Sequence, residues 1–184
     1  MFDQDVSRRR VIKLGLMGAV SCLLPDTAMA ALQYIPVEER RICMYNLHSK
    51  EYLDTLFWKD GKYIPGSLDD INYMLRDHYC GVVKPIDRRL IDLLFALQKQ
   101  LGSREPFHII SGYRTKKTNA FLRRKHKGAA KRSLHMYGKA VDLRLPDVEL
   151  KLLRRAAYKM KEGGVGYYPR SNFVHLDVGR VRYW

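Results

Sequence analysis

The chain reads as a single α+β domain with a mostly antiparallel sheet and flanking helices. Three observations lead there. Short apolar segments at strand period are joined by hairpin signals, other segments carry apolar residues at helical spacing, and the two kinds mix without the regular strand–helix–strand alternation of a parallel sheet. No internal repeat and no low-complexity linker divides the chain after its first thirty residues, so one domain is expected over residues 31–184.

Taken in order, Arg41 to Leu47 and Glu51 to Lys59 read as strands, and Asp60-Gly61 is a hairpin turn signal leading into Lys62-Tyr63-Ile64. Ser67 is placed to cap a helix running to about Tyr79, with Asp69 and Asp70 at its positive end. Pro85 opens a stronger helix in which Ile86, Leu90, Leu93, Leu94, Leu97 and Leu101 recur at helical spacing, and Gly102 ends it. Phe107 to Ile110 is a buried strand delivering Ser111-Gly112-Tyr113-Arg114. Thr115 to Arg124 is a short basic helix, followed by a Gly- and Lys-rich loop from Lys125 to Tyr137. Lys139 to Leu145 is a strand, and Asp147 is placed to cap a helix to Met160. Gly163-Gly164 turns the chain into Val165 to Tyr168, and Phe173 to Val178 is expected as the last strand.

The first thirty residues have the form of an export signal rather than a fold element. Ser7-Arg8-Arg9-Arg10-Val11-Ile12-Lys13 has the twin-arginine pattern. The apolar run from Leu14 to Leu24 is short of the about 20 residues a membrane span needs. Pro25 breaks it, and Ala28-Met29-Ala30 supplies small residues before a cleavage point. An uncleaved anchor, or a lipobox ending at Cys22, are the alternatives; the flanking Ala19-Val20-Ser21 is a poor lipobox. The expectation is twin-arginine export to the periplasm with cleavage after Ala30. The segment holds four Lys/Arg and three acidic residues, so its removal lowers the net charge from +15 to +14. Such a surface seeks a polyanion. Export points to the cell envelope and away from nucleic acid, and no stable membrane anchor is expected. Cys43 and Cys80, the cysteines beyond the signal, either pair or stay free.

The densest chemistry lies in Ser133-Leu-His-Met-Tyr-Gly-Lys-Ala-Val-Asp142 and Phe173-Val-His-Leu-Asp177. His135 and Asp142 flank Gly138, which suits a loop histidine turning onto a strand where Ala140 and Asp142 share one face. On the last strand His175 and Asp177 share a face, while Val174, Leu176 and Val178 point into the core. Two adjacent strands would then present Asp142 and His175 to the same side, with His135 reaching over the top. Two imidazoles and one carboxylate form a zinc set with a fourth position left for water, the arrangement hydrolytic chemistry uses.

These segments, together with Ser111-Gly-Tyr-Arg-Thr115, resemble the M15-type zinc peptidases, a group that includes D-Ala-D-Ala peptidases and shares its fold with the hedgehog signalling domain. Gly163-Gly-Val-Gly-Tyr-Tyr-Pro-Arg-Ser-Asn-Phe-Val-His175, with the twin-arginine signal and a terminal tryptophan, is similar to the YcbK-like branch of murein endopeptidases. The resemblance implies one Zn2+ held by His135, Asp142 and His175. It implies that Arg114 faces the site, stabilising an oxyanion or anchoring a substrate carboxylate. Ser133 orients the loop or a substrate amide, and Tyr167 and Tyr168 line the cleft or pack at a strand end. Many family members carry an acid three residues before the last histidine ligand, where this chain has Asn172. An amide takes no proton from water at neutral pH, so Asp177 is either the substitute general base or a partner that fixes a ligand histidine's tautomer.

The resulting expectation is a periplasmic zinc endopeptidase acting on peptidoglycan cross-links. A D,D- or L,D-carboxypeptidase and a non-catalytic zinc module that binds cell wall stand as alternatives. His48, His78 and His108 are scattered in sequence, and His126 belongs to a solvated basic face. The basic stretch Lys116 to Arg132 is a soluble surface or a grip on substrate, and Tyr183 and Trp184 close over the core.

Overall fold

The computed structural model describes residues 39–125 and 130–184. The expected export signal and His126 lie outside them. The strands are β1 (Arg40–Asn46), β2 (Tyr52–Lys59), β3 (Lys62–Tyr63), β4 (Phe107–Ser111), β5 (Ala140–Arg144), β6 (Gly164–Tyr168), β7 (Phe173–Asp177) and β8 (Arg182–Tyr183). The helices are α1 (Pro65–Met74), α2 (Arg88–Leu101), α3 (Lys116–Lys125) and α4 (Leu150–Met160).

The strands form one sheet in the order β3-β2-β1-β4-β5-β7-β6-β8. Only β1–β4 and β6–β8 pair in parallel; the remaining pairs are antiparallel. That is the α+β class with a mostly antiparallel sheet. Strand parity decides where the core sits. Ile42 and Met44 on β1, Phe107 and Ile109 on β4, Val141 and Leu143 on β5, and Val174 and Leu176 on β7 are all buried in one cluster. Leu90, Leu94 and Leu97 of α2 and Leu153, Ala156 and Ala157 of α4 belong to it. The opposite parity of β5 and β7 presents Ala140 and Asp142, and Phe173, His175 and Asp177, to the other side. Ala140 to Leu143 of β5 are buried without a break, as expected of a strand covered on both faces.

Helix starts differ from the expectation, and each difference has a local cause. α1 begins at Pro65, whose fixed φ suits the first helical position, and ends at Met74 rather than near Tyr79. Ser67 caps nothing; its hydroxyl donates to the Leu56 carbonyl at 2.7 Å and joins α1 to β2. α2 begins at Arg88, after Pro85, because the Asp87 carboxylate accepts from Arg89 N at 3.1 Å as an N-cap. Gly102 ends it at φ 66, the left-handed closure expected. Glu149, not Asp147, precedes α4, while Asp147 accepts from the Ser103 hydroxyl at 2.8 Å. β8 is a further strand beyond the expected last one, pairing Gly164 with Arg182 and Val165 with Tyr183. Cys43 and Cys80 are both free thiols.

Candidate metal centre

The site is assembled where β4, β5 and β7 run side by side. Asp142 pairs directly with His175 across β5 and β7, and with Ser111 across β4 and β5. A register shift between Ile109 and Ser111 sets the latter pairing, a bulge that ends the β4 ladder beside the site. A 310 turn, Leu134–Tyr137, carries His135, and Gly138 at φ 65 turns the chain onto β5. Gly138 also lies against Pro85, where a Cβ would come within 2.5 Å of the carbonyl oxygen. Asp87 N donates to Gly138 O at 2.9 Å, so the motif turn is docked on the start of α2.

His135 Nε2, Asp142 Oδ1 and His175 Nδ1 converge at 3.2, 2.9 and 3.1 Å from one another. His135, Asp142 and His175 are all buried. The outward nitrogens determine the inward ones. His135 Nδ1 lies 2.7 Å from the Gly112 carbonyl, an acceptor only, so that nitrogen carries the hydrogen and Nε2 presents a lone pair. His175 Nε2 lies 2.9 Å from Asp177 Oδ2, which likewise places the hydrogen there and a lone pair on Nδ1. Two nitrogen lone pairs and a carboxylate oxygen thus face each other with no hydrogen between them. A cation fits such a set. Tetrahedral zinc with bonds of about 2.0–2.1 Å needs ligand atoms roughly 3.3 Å apart, close to the spacing present, and the three residues can together hold a metal ion.

The electrostatics agree at His135 and Asp142 and pull the other way at His175. Burial pushes the His135 pKa down and keeps the imidazole neutral, with the Arg114 charge acting the same way and Asp142 opposing. Burial opposes the charged form of Asp142, but His135, His175 and Arg114 together hold its carboxyl well below the usual range. Burial also opposes charge on His175, yet its bonds to Asp142 and Asp177 raise its pKa.

Arg114 adjoins this group and lines the cavity. Its Nε donates to Ser111 Oγ at 2.7 Å, and Nη2 bonds Asp142 Oδ2. Arg114 N donates to His135 O at 3.2 Å, which locks the Ser-Gly-Tyr-Arg segment to the ligand turn. Ser133 precedes the 310 turn without making a side-chain cap and lines the adjoining cavity of about 540 Å³. One expectation is corrected. Tyr167 points to the core side of β6 and packs under Arg154, whose guanidinium lies 5.2 Å from the ring; Tyr168, of opposite parity, lines the cavity. The phase follows from Gly166 pairing with His175, which puts Tyr168 on the site side.

Asp177 sits behind His175 and does not line the cavity. Its carboxylate has no solvent exposure and accepts from His175 Nε2, Gly164 N, Gly179 N and both terminal nitrogens of Arg182. Burial opposes its charge, and the donors overcome it, so its pKa is pushed far down. A carboxylate so engaged is placed to fix the His175 tautomer and does not reach the cavity. Asn172 holds φ 53, a left-handed position Asn tolerates, where it closes the turn Pro169–Ser171.

Three cavity residues escaped sequence reading. Trp184 lies 5.2 Å from the His175 ring and donates from Nε1 to the Tyr168 hydroxyl at 2.7 Å, so it closes over the site rather than the core. His48 and His78, far apart in sequence, stack at 3.9 Å on the same cavity wall. The available signal was local: each follows a short polar residue suited to holding a turn, Asn46 two before His48 and Asp77 beside His78.

Comparison with known proteins agrees with the arrangement. Residues 35–184 match the M15_2 peptidase family, described as peptidoglycan L,D-endopeptidase MepK. The chain is 41% identical over 180 residues to the peptidoglycan L,D-endopeptidase MepK of Escherichia coli K12, covering 98% of each protein. It is 34% identical over 181 residues to the probable peptidoglycan L,D-endopeptidase MepK of Haemophilus influenzae, covering 98% of this chain and 96% of the relative. With matches of that length and a His-Asp-His group formed by the residues of the M15-like motifs, the chain belongs to the MepK family of M15 peptidases.

Proposed function

We propose that the chain is a zinc-dependent peptidoglycan L,D-endopeptidase, exported by the twin-arginine route and acting in the periplasm. The observation that carries the proposal is the convergence of two imidazole lone pairs and one carboxylate oxygen with no hydrogen among them. His135, Asp142 and His175 would hold one Zn2+, which supplies water of lowered pKa and polarises a carbonyl. The substrate class and bond type follow the relatives' names.

The remaining roles fall to the chain's own side chains. Arg114, held by Ser111 and Asp142, presents its remaining Nη1 toward charge developing on the attacked carbonyl oxygen. Ser133, its hydroxyl not used as a cap, offers a hydrogen bond to a substrate amide. Asp177 keeps the His175 hydrogen on Nε2 and is itself fixed by Arg182. Peptidoglycan carries free carboxylates, which the net charge of +15 attracts.

Purified protein should contain about one zinc per chain and should release chelator-sensitive products from isolated sacculi, with loss of cross-linked dimers. His175→Ala should lose both metal and activity. A metal-free variant with full activity, or sacculi left intact by zinc-loaded protein, would overturn the proposal.

A further inference from the structure

The site as described lacks a proton acceptor. Among the described residues lining the cavity, Asp142 is the sole carboxylate, and it faces the two ligand histidines and Arg114. The arginines there are donors only. His48 and His78 are the other lining side chains that carry an imidazole outside the ligand set.

The two rings are built into place. They stack with centroids 3.9 Å apart and planes 3° from parallel. Buried Asn46 accepts from His48 N at 2.9 Å and Ser49 N at 3.2 Å, and its amide donates to Met74 O at 3.2 Å. That ties the β1–β2 loop to the end of α1. Buried Asp77, immediately before His78, accepts from Thr115 N at 2.8 Å and Tyr79 N at 3.0 Å. Tyr113 N donates to Leu75 O at 2.7 Å, and Gly112 lies so close to Leu75 that a Cβ would meet its carbonyl oxygen at 2.3 Å. The segment Gly112 to Arg114 is the one that holds His135 and Asp142. The histidine pair and the ligand set are therefore tied to one backbone segment and line one cavity. Buried polar side chains are costly unless they are satisfied, and here two of them are satisfied by positioning these loops.

We infer that the His48–His78 pair is the proton carrier of the hydrolysis, with His78 accepting the proton of the attacking water and His48 supporting its ring. The inference rests on the endopeptidase reading above. The water oxygen forms a bond to the amide carbonyl carbon while its proton passes to a ring nitrogen of His78. The C–N bond then breaks and the same proton leaves on the amine nitrogen, so amide and water give carboxylic acid and amine with no further reactant. Burial, with the neighbouring His48 and Arg114 charges acting the same way, lowers the His78 pKa to about 4 against the opposing pull of Asp77. The ring is accordingly neutral and carries a lone pair, a weak acceptor whose conjugate acid donates readily.

The test uses zinc-loaded full chain digesting purified sacculi, with released muropeptides quantified over time. His78→Gln should lower kcat by about 100-fold or more, with KM and bound zinc close to those of the wild type. His78→Ala, which leaves room for a free base, should be as slow and should recover in part when imidazole is added, a response no structural role produces. Wild-type kcat in zinc-loaded His78→Gln overturns the inference alone, as does a slow His78→Ala that imidazole leaves unchanged. Wild-type protein inert on sacculi overturns it together with the endopeptidase reading.

Discussion

His175 has a different acid on each ring nitrogen, Asp142 on Nδ1 and Asp177 on Nε2, and this division sets what each acid does. Asp177→Asn exchanges one oxygen for an amide that donates where a hydrogen already points, or flips to expose the other atom to Arg182. Either way the tautomer of His175 loses its anchor. The expected outcome is a zinc affinity weaker by about 10–100-fold, read by competition with a chelating dye, while turnover at saturating zinc stays within a few fold. Turnover lost at full zinc occupancy would return the base role to Asp177. The grouping of the candidate ligand residues was legible in the sequence because Gly138 marks the turn onto β5 and strand parity aligns Asp142 with His175. Parity alone could not separate the two roles of Asp177. Residues i and i+2 share a face whether the carboxylate meets the inner or the outer nitrogen, and ring rotation decided it.

Close backbone contact, rather than side-chain chemistry, holds the elements around the site in register. Gly112 is wedged against the Leu75 backbone while its carbonyl fixes His135. Gly112→Ala must push the α1 end away or displace that carbonyl. It should cost roughly 1–3 kcal/mol of stability and weaken zinc binding, measured by urea denaturation and metal titration; unchanged values for both would contradict the wedge. Farther along the sheet, Tyr63 of β3 donates to Asp92 of α2 at 2.5 Å. Burial, then the Asp92 carboxylate, raises its pKa from 10 to about 12. The stabilisation from the neutral hydroxyl is therefore complete below pH about 10 and is lost as pH climbs from there toward 12. Denaturation midpoints should fall more steeply over that window in the wild type than in Tyr63→Phe; parallel curves would dismiss the contribution. Strand existence and the β2–β3 hairpin were readable because alternation and Asp60-Gly61 are local signals. Helix starts were not, since Ser67 and Asp147 are good caps whose side chains found tertiary partners instead, Leu56 O and Ser103.

The molecule as a whole carries a net charge of +15, from 34 Lys and Arg against 19 Asp and Glu. This excess was plain in the sequence, but its relation to the cleft was not, because Arg114, Arg132 and Arg182 reach the cavity from separate parts of the chain. Two of the three are engaged, Arg114 with Asp142 and Arg182 with Asp177. Their charge serves the geometry of the centre, and under the proposed function the rest of the basic surface, α3 included, would meet the substrate first. Capture and cleavage are then separable. Capture is a long-range attraction that fades as the Debye length contracts from about 10 Å at 0.1 M salt to about 3 Å at 1 M. Cleavage depends on buried groups that salt screens little. His175→Ala, with no metal and no activity, should therefore cosediment with sacculi as well as the wild type at low salt, and both should be released in parallel as salt rises. Retention of either protein at 1 M salt would mean that the cleft, rather than the charge, holds the wall.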